Sequence, residues 1–123
     1  MAVNPVCWVE IYVQDMQRAK VFYEGVLGIS LAPLPYPDME MWMFPMGDNA
    51  PGASGALVHM PGVSSGGSGT LVYFACDDCA VEEARVAQFG GHVQQPKMSI
   101  GEYGFISLVL DPDGNRLGLF SQR

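Results

Sequence analysis

Apolar and polar positions alternate near the start of the chain. In Val6-Cys7-Trp8-Val9-Glu10-Ile11-Tyr12-Val13 the period of two puts Trp8, Glu10 and Tyr12 on one face of a strand and Cys7, Val9, Ile11 and Val13 on the other. The period then lengthens. Over residues 16–27, Ala19, Phe22, Tyr23 and Val26 recur at helical spacing, with Asp15 placed to cap the helix and Gly28 placed to end it. Three extended pieces follow, at residues 29–34, 39–44 and 55–60.

The same plan then recurs. Residues 70–76 read as a strand, Asp77 or Asp78 caps a helix through Val81, Ala84 and Phe89, and Gly90-Gly91 stops it. Extended segments follow at residues 92–95, 105–110 and 115–121, the last two joined by the turn Asp111-Pro112-Asp113-Gly114. Asp15 and Asp77 stand 62 positions apart, as do Gly28 and Gly90, so the chain carries an internal repeat. The pattern alone gives an α+β fold of two like halves in one domain, residues 1–123. Module one takes residues 1–62 and module two residues 70–123. The stretch 61–69, with four Gly and three Ser, serves as a flexible connector.

Composition narrows the partners. At 123 residues and 49% hydrophobic the chain can bury a core, and its net charge of -7 would repel a phosphate backbone or an anionic membrane, so no nucleic-acid or membrane partner is expected. The N-terminus has no basic run before its short apolar stretch, which excludes a signal peptide on this reading, and no apolar run is long enough to span a bilayer. Three cysteines, Cys7, Cys76 and Cys79, fit free thiols in a reducing cytoplasm better than a disulfide framework.

Strand, Asp15, a helix containing Phe22-Tyr23, then Val26-Leu27-Gly28 resembles the opening of the vicinal oxygen chelate proteins, the glyoxalase, bleomycin-resistance and extradiol dioxygenase group. Asp111-Pro112-Asp113-Gly114-Asn115 resembles their closing hairpin. The resemblance implies two βαβββ modules forming a curved mixed-sheet cup, assembled as a homodimer, with a small molecule in the concavity. Many members hold a metal at four places on the cup strands. Carried over, these fall on Trp8, near Leu57 or Val58 with His59 close by, on Thr70 or Leu71, and on Gly118. A set so poor in donors resembles the metal-free branch, so no metal and no cofactor are expected.

Glu10 shares the strand face of Trp8 and is a candidate general base or anchor for a cationic ligand. His59 is the second catalytic candidate, for acid-base work or a lone metal contact; His92, after a helix-ending Gly pair, reads as a surface residue. Trp8, Trp42, Tyr73, Phe105 and Phe120, with Met39, Met41, Met43 and Met60, are candidates to line a soft aromatic pocket. Glu102 and Tyr103, flanked by Gly101 and Gly104, are candidate gate residues. Cys76-Asp77-Asp78-Cys79 has knuckle spacing, but two adjacent carboxylates raise a thiol pKa and further ligands are lacking. The expected function is metal-independent small-molecule binding, with an aromatic or cationic compound sequestered. The alternatives are a glyoxalase-like lyase or isomerase or a dioxygenase-related enzyme using Glu10 or His59, and an interaction module with no small-molecule role.

Overall fold

The computed structural model describes residue 4, residues 6–67 and residues 69–123; Ser68 of the connector and four of the first five residues lie outside it. Strand β1 (Trp8–Tyr12) leads into helix α1 (Met16–Leu27), followed by β2 (Ala32–Pro33), β3 (Glu40–Met43) and β4 (Ser54–His59). The second half repeats this order with β5 (Val72–Ala75), α2 (Cys79–Val86), β6 (His92–Ser99), β7 (Phe105–Leu110) and β8 (Arg116–Ser121), plus a 3-10 turn at Gly101–Tyr103. Two four-stranded mixed sheets result, ordered β1-β4-β3-β2 and β5-β8-β7-β6. In each, the first and last strands of a module run parallel, which requires a crossover between them; α1 and α2 begin those crossovers. The α+β plan of two βαβββ units read from the sequence is the plan observed.

Local chemistry sets the element ends. Asp15 accepts the Arg18 N–H at 3.1 Å and Gly28, at φ 67°, turns its N–H onto the Glu24 carbonyl at 3.0 Å, so α1 has the bounds its sequence predicts. Asp78, not Asp77, caps α2 by accepting the Ala80 N–H. That helix stops at Val86, short of Phe89, because the chain turns there and the Gly91 N–H returns to the Val86 carbonyl. Phe89 then lies on Gly25 of α1, where an added Cβ would come within 2.4 Å of the ring. Strand β6 runs past its expected end at Gln95 and includes Pro96; it is an edge strand with register shifts, the setting in which a sheet tolerates proline.

The helix-facing sides of both sheets share one core. Ile11, Val13, Phe22, Tyr23, Val26 and Leu57 of the first module join Cys79, Val86, Val109, Leu117 and Leu119 of the second. Polar clasps complete the junction. The fully buried Tyr23 hydroxyl donates to Asp111 Oδ2 at 2.7 Å, and Arg18 pairs with the buried Asp113 side chain. Asn115 Nδ2 donates to the Tyr12 carbonyl, which ties the end of β1 to the β7–β8 turn.

Candidate functional site

The other face of the first sheet carries a second, smaller cluster. Pairing sets β1 against β4 with Trp8 opposite Ser54, Glu10 opposite Ala56 and Tyr12 opposite Val58, and β3 against β4 with Met41 opposite Val58 and Met43 opposite Ala56. Alternation therefore groups Trp8, Glu10, Tyr12, Met41, Ala56 and Val58 on one side. Met41, Ala56 and Val58 are buried there beneath Trp8, Tyr12, Leu34 and Met39. On this apolar floor stands one exposed carboxylate. Glu10 accepts from the Trp8 indole Nε1–H at 3.2 Å through Oε2 and from the Tyr12 hydroxyl at 2.9 Å through Oε1. The bond to Glu10, with lesser contributions from burial and from the carboxylate charge, pushes the Tyr12 phenol above its ordinary value, so at neutral pH it remains a donor. Two aromatic donors thus hold an anionic group above an apolar surface, an arrangement suited to a cation or to a ligand with an acidic proton.

The predicted site residues separate into three groups. Trp8 and Glu10 lie together as expected, and Tyr12, which sequence reasoning put on the same face but not in the site, completes their cluster. Tyr73 and Phe120 share the corresponding face of the second sheet: Tyr73 pairs with Gly118, and Phe120 lies two residues further along β8. Trp42, His59 and Phe105 face the other way. Trp42 is paired with the fully buried Leu57, packs on the main core and lies under the Lys20 ammonium, 3.3 Å from the ring centroid. Phe105 also packs on the main core, with the Lys97 ammonium 4.7 Å from its centroid.

His59 sits opposite Glu40, and its Nδ1 lies 3.0 Å from the Val13 carbonyl. A carbonyl can only accept, so Nδ1 carries a proton. Trp42 and Phe105, expected to line an aromatic pocket with Trp8, are corrected to the opposite face, and the catalytic candidate His59 lies on that face as well: period-two alternation turns all three toward the helices. Met60 is half-buried one residue past β4, its carbonyl accepting the Val63 N–H. Glu102 and Tyr103 are exposed on the 3-10 turn. Gly104, at φ 125°, permits close approach to the Ser121 carbonyl rather than a hinge: an added Cβ would meet that oxygen at 2.4 Å.

At three of the four carried-over metal positions, on β1, β4 and β8, the residues do not fit a metal ion. Trp8 offers only an indole N–H, already donated to Glu10. On β4 the residue facing with Glu10 is Ala56, flanked by Ser54 and Val58, while Leu57 points into the core. At Gly118 an added Cβ would lie 2.1 Å from Tyr73 Cδ1, so the tyrosine ring fills the space that a ligating side chain would need. Among the described residues no three His, Cys, Asp or Glu side chains gather into a metal-holding group. The thiol at the knuckle spacing is equally unsuited: burial, then the charge of Glu82, push Cys76 up to about 12, and Cys79 is fully buried.

A βαβββ unit used twice builds two mixed sheets, and one sheet face carries a donor-held carboxylate. The chain belongs to the glyoxalase/bleomycin resistance protein/dioxygenase superfamily, whose family model matches residues 6–119. It is 30% identical over 115 residues to the candidate glyoxylase CFP32 of Mycobacterium tuberculosis, a match covering 92% of this chain but only 44% of that protein, so the chain spans less than half the length of that curated relative. TnmS3, an antibiotic-binding protein from Streptomyces sp. CB03234, is 27% identical with TM-score 0.69, over 100% of this chain and 99% of that one. Glyoxalase I from Zea mays superposes with TM-score 0.75 at 24% identity, covering 96% of this chain and 46% of the maize chain, a likeness of fold. Among the described residues no helix is long and apolar enough to cross a membrane.

Proposed function

We propose that this chain is a metal-independent small-molecule-binding protein that takes up an aromatic or cationic compound against the strand face bearing Glu10. The observation that carries the reading is the Glu10 carboxylate fixed by Trp8 Nε1–H and Tyr12 O–H above the buried Met41, Ala56 and Val58. A cation there meets a charge already oriented, and aromatic rings beside it favour flat or ammonium-bearing ligands. The lack of metal donors at the carried-over positions supports a binding role without a metal, and the likeness to an antibiotic-binding protein over the full length of both chains supports sequestration. Tyr73 and Phe120, on the matching face of the second sheet, supply a second aromatic wall in this reading. A homodimer, which would set one such face against another, and a reducing cytoplasmic setting for the free thiols Cys7, Cys76 and Cys79 belong to the same proposal.

A second reading is favoured by one observation. Tyr12 and Trp8 hold Glu10 by two hydrogen bonds in the position of a base, and the mycobacterial relative is named for glyoxylase activity. In that reading Glu10 abstracts a proton from a carbon next to a carbonyl and Tyr12 steadies the carboxylate. Isothermal titration with a flat aromatic ammonium and, separately, an assay with a 2-oxoaldehyde hemithioacetal distinguish the two. Saturable binding of the ammonium, weakened at least about tenfold by Glu10→Gln, is the expected result. Turnover of the hemithioacetal, or purified protein carrying one equivalent of nickel, zinc or iron, would overturn the metal-independent binding role. Native mass spectrometry tests the dimer.

A further inference from the structure

Behind β1, on the side opposite Trp8, Glu10 and Tyr12, the two modules do not close completely. A cavity of about 290 Å³ opens between them, lined by Val9, Ile11, Leu27 and Phe44 from the first module and by Val72 and Phe74 from the second, with Glu82 of α2 on its wall. Its volume is at the small end of the range of ligand sites, about 300–1,000 Å³. The wall is mostly apolar; Ser54 and Tyr73 add hydroxyl-bearing side chains at it, and Glu82 is its one carboxylate. Glu82 Oε1 is buried and has no hydrogen-bond partner, and Glu82 takes part in neither of the ion pairs seen among the described residues. A position in the first turn of α2 favours an acidic residue there. It does not explain why the carboxylate is turned to an apolar hollow, where an unmet acceptor is costly.

We propose that this inter-module cavity is a second binding site, separate from the Glu10 face, for a small aliphatic ammonium whose chain fills the apolar space and whose head donates to Glu82. Cys76 beside Glu82 keeps its proton at physiological pH, so its thiol is a weak neutral donor toward that carboxylate and supplies no charge to balance it. Because Val9 and Ile11 belong to the strand that carries Glu10, an occupant touches the reverse side of the proposed primary site.

The test is titration of the full chain with n-hexylammonium, 1-hexanol and hexanoate, followed by amide chemical-shift mapping. Saturable n-hexylammonium binding is expected, with shifts concentrated at Val9, Ile11, Glu82 and the residues of β5. Glu82→Gln should weaken the ammonium at least about tenfold while leaving 1-hexanol nearly unchanged. Hexanoate should bind more weakly than either. A second variant, Ala53→Trp, places a bulky side chain at an exposed point of the cavity wall and should weaken both favoured ligands in a chain that remains folded. Absence of saturable ammonium binding, equal affinity in Glu82→Gln, or shifts that move to the Trp8 face and vanish in Glu10→Gln would each overturn the proposal. The Glu10→Gln arm keeps its fate separate from that of the primary site.

Discussion

Replacing Tyr23 by Phe removes one oxygen from the centre of the junction between modules. The tyrosine is fully buried, its ring stands edge-on to Phe22 at 5.0 Å and to Phe44 at 5.7 Å, and its hydroxyl donates to Asp111 Oδ2 at 2.7 Å. Phenylalanine keeps the ring contacts, so the change reads the hydrogen bond. A bond to a charged acceptor contributes about 1.5–3 kcal/mol. The lower end is expected because Asp111 Oδ2 still accepts from Asn115 Nδ2 at 2.9 Å, and Oδ1 from the Asp113 and Asn115 N–H groups, so no carboxylate oxygen is orphaned. A loss of about 1.5 kcal/mol corresponds to a melting point lowered by roughly 5–8 °C in a domain of this size.

The substitution also has a pH signature. Burial, then the charge and hydrogen bond of Asp111, raise Tyr23 well above the ordinary tyrosine value of 10.0. Below that value both folded and unfolded states hold the proton. As pH rises through it the unfolded chain releases its proton while the folded chain keeps it, so stability falls with rising pH until the folded-state value is reached. Urea denaturation at neutral pH and again in the alkaline range measures both effects. Tyr23→Phe should be less stable at neutral pH yet lose less stability on going alkaline. A variant as stable as the parent at neutral pH, or one with the same alkaline fall, would refute the reasoning.

Two further outcomes follow from the geometry. Gly104→Ala forces a Cβ to 2.4 Å from the Ser121 carbonyl at a φ of 125°, which should cost at least about 1–3 kcal/mol in denaturant unfolding, whereas Gly101→Ala, whose Cβ meets nothing within 4 Å, should cost less. Alkylation with iodoacetamide near neutral pH, followed by mass spectrometry, should label the exposed Cys7 first and leave Cys76, pushed up to about 12, and the buried Cys79 largely unmodified until the chain unfolds.

The strand-helix-strand order, the caps at Asp15 and Gly28 and the Asp111–Gly114 turn were legible in the sequence, because each rests on contacts within a few residues of chain. So was the shared face of Trp8, Glu10 and Tyr12, which needs only the period of one strand. The composition of the site was less legible. Trp42 and Phe105 looked like partners of Trp8 because aromatic residues suit a pocket and a core equally well. Which of the two they joined depended on register: Trp42 opposite Leu57 and Phe105 opposite Ser121 fixed both on the buried side. His59 turned with Leu57 for the same reason, and the Val13 carbonyl then settled its proton.

Gly118 is the clearest division between the two levels. The sequence by itself shows that no metal donor stands there, whereas only the folded chain shows the Tyr73 ring lying over it. Local hydrogen-bonding and period set the elements, since they are short-range. The cavity behind β1, the clasp of Tyr23 on Asp111 and the choice of face for each aromatic side chain arise where residues far apart in the chain meet, and those meetings are decided by the joint packing of both modules.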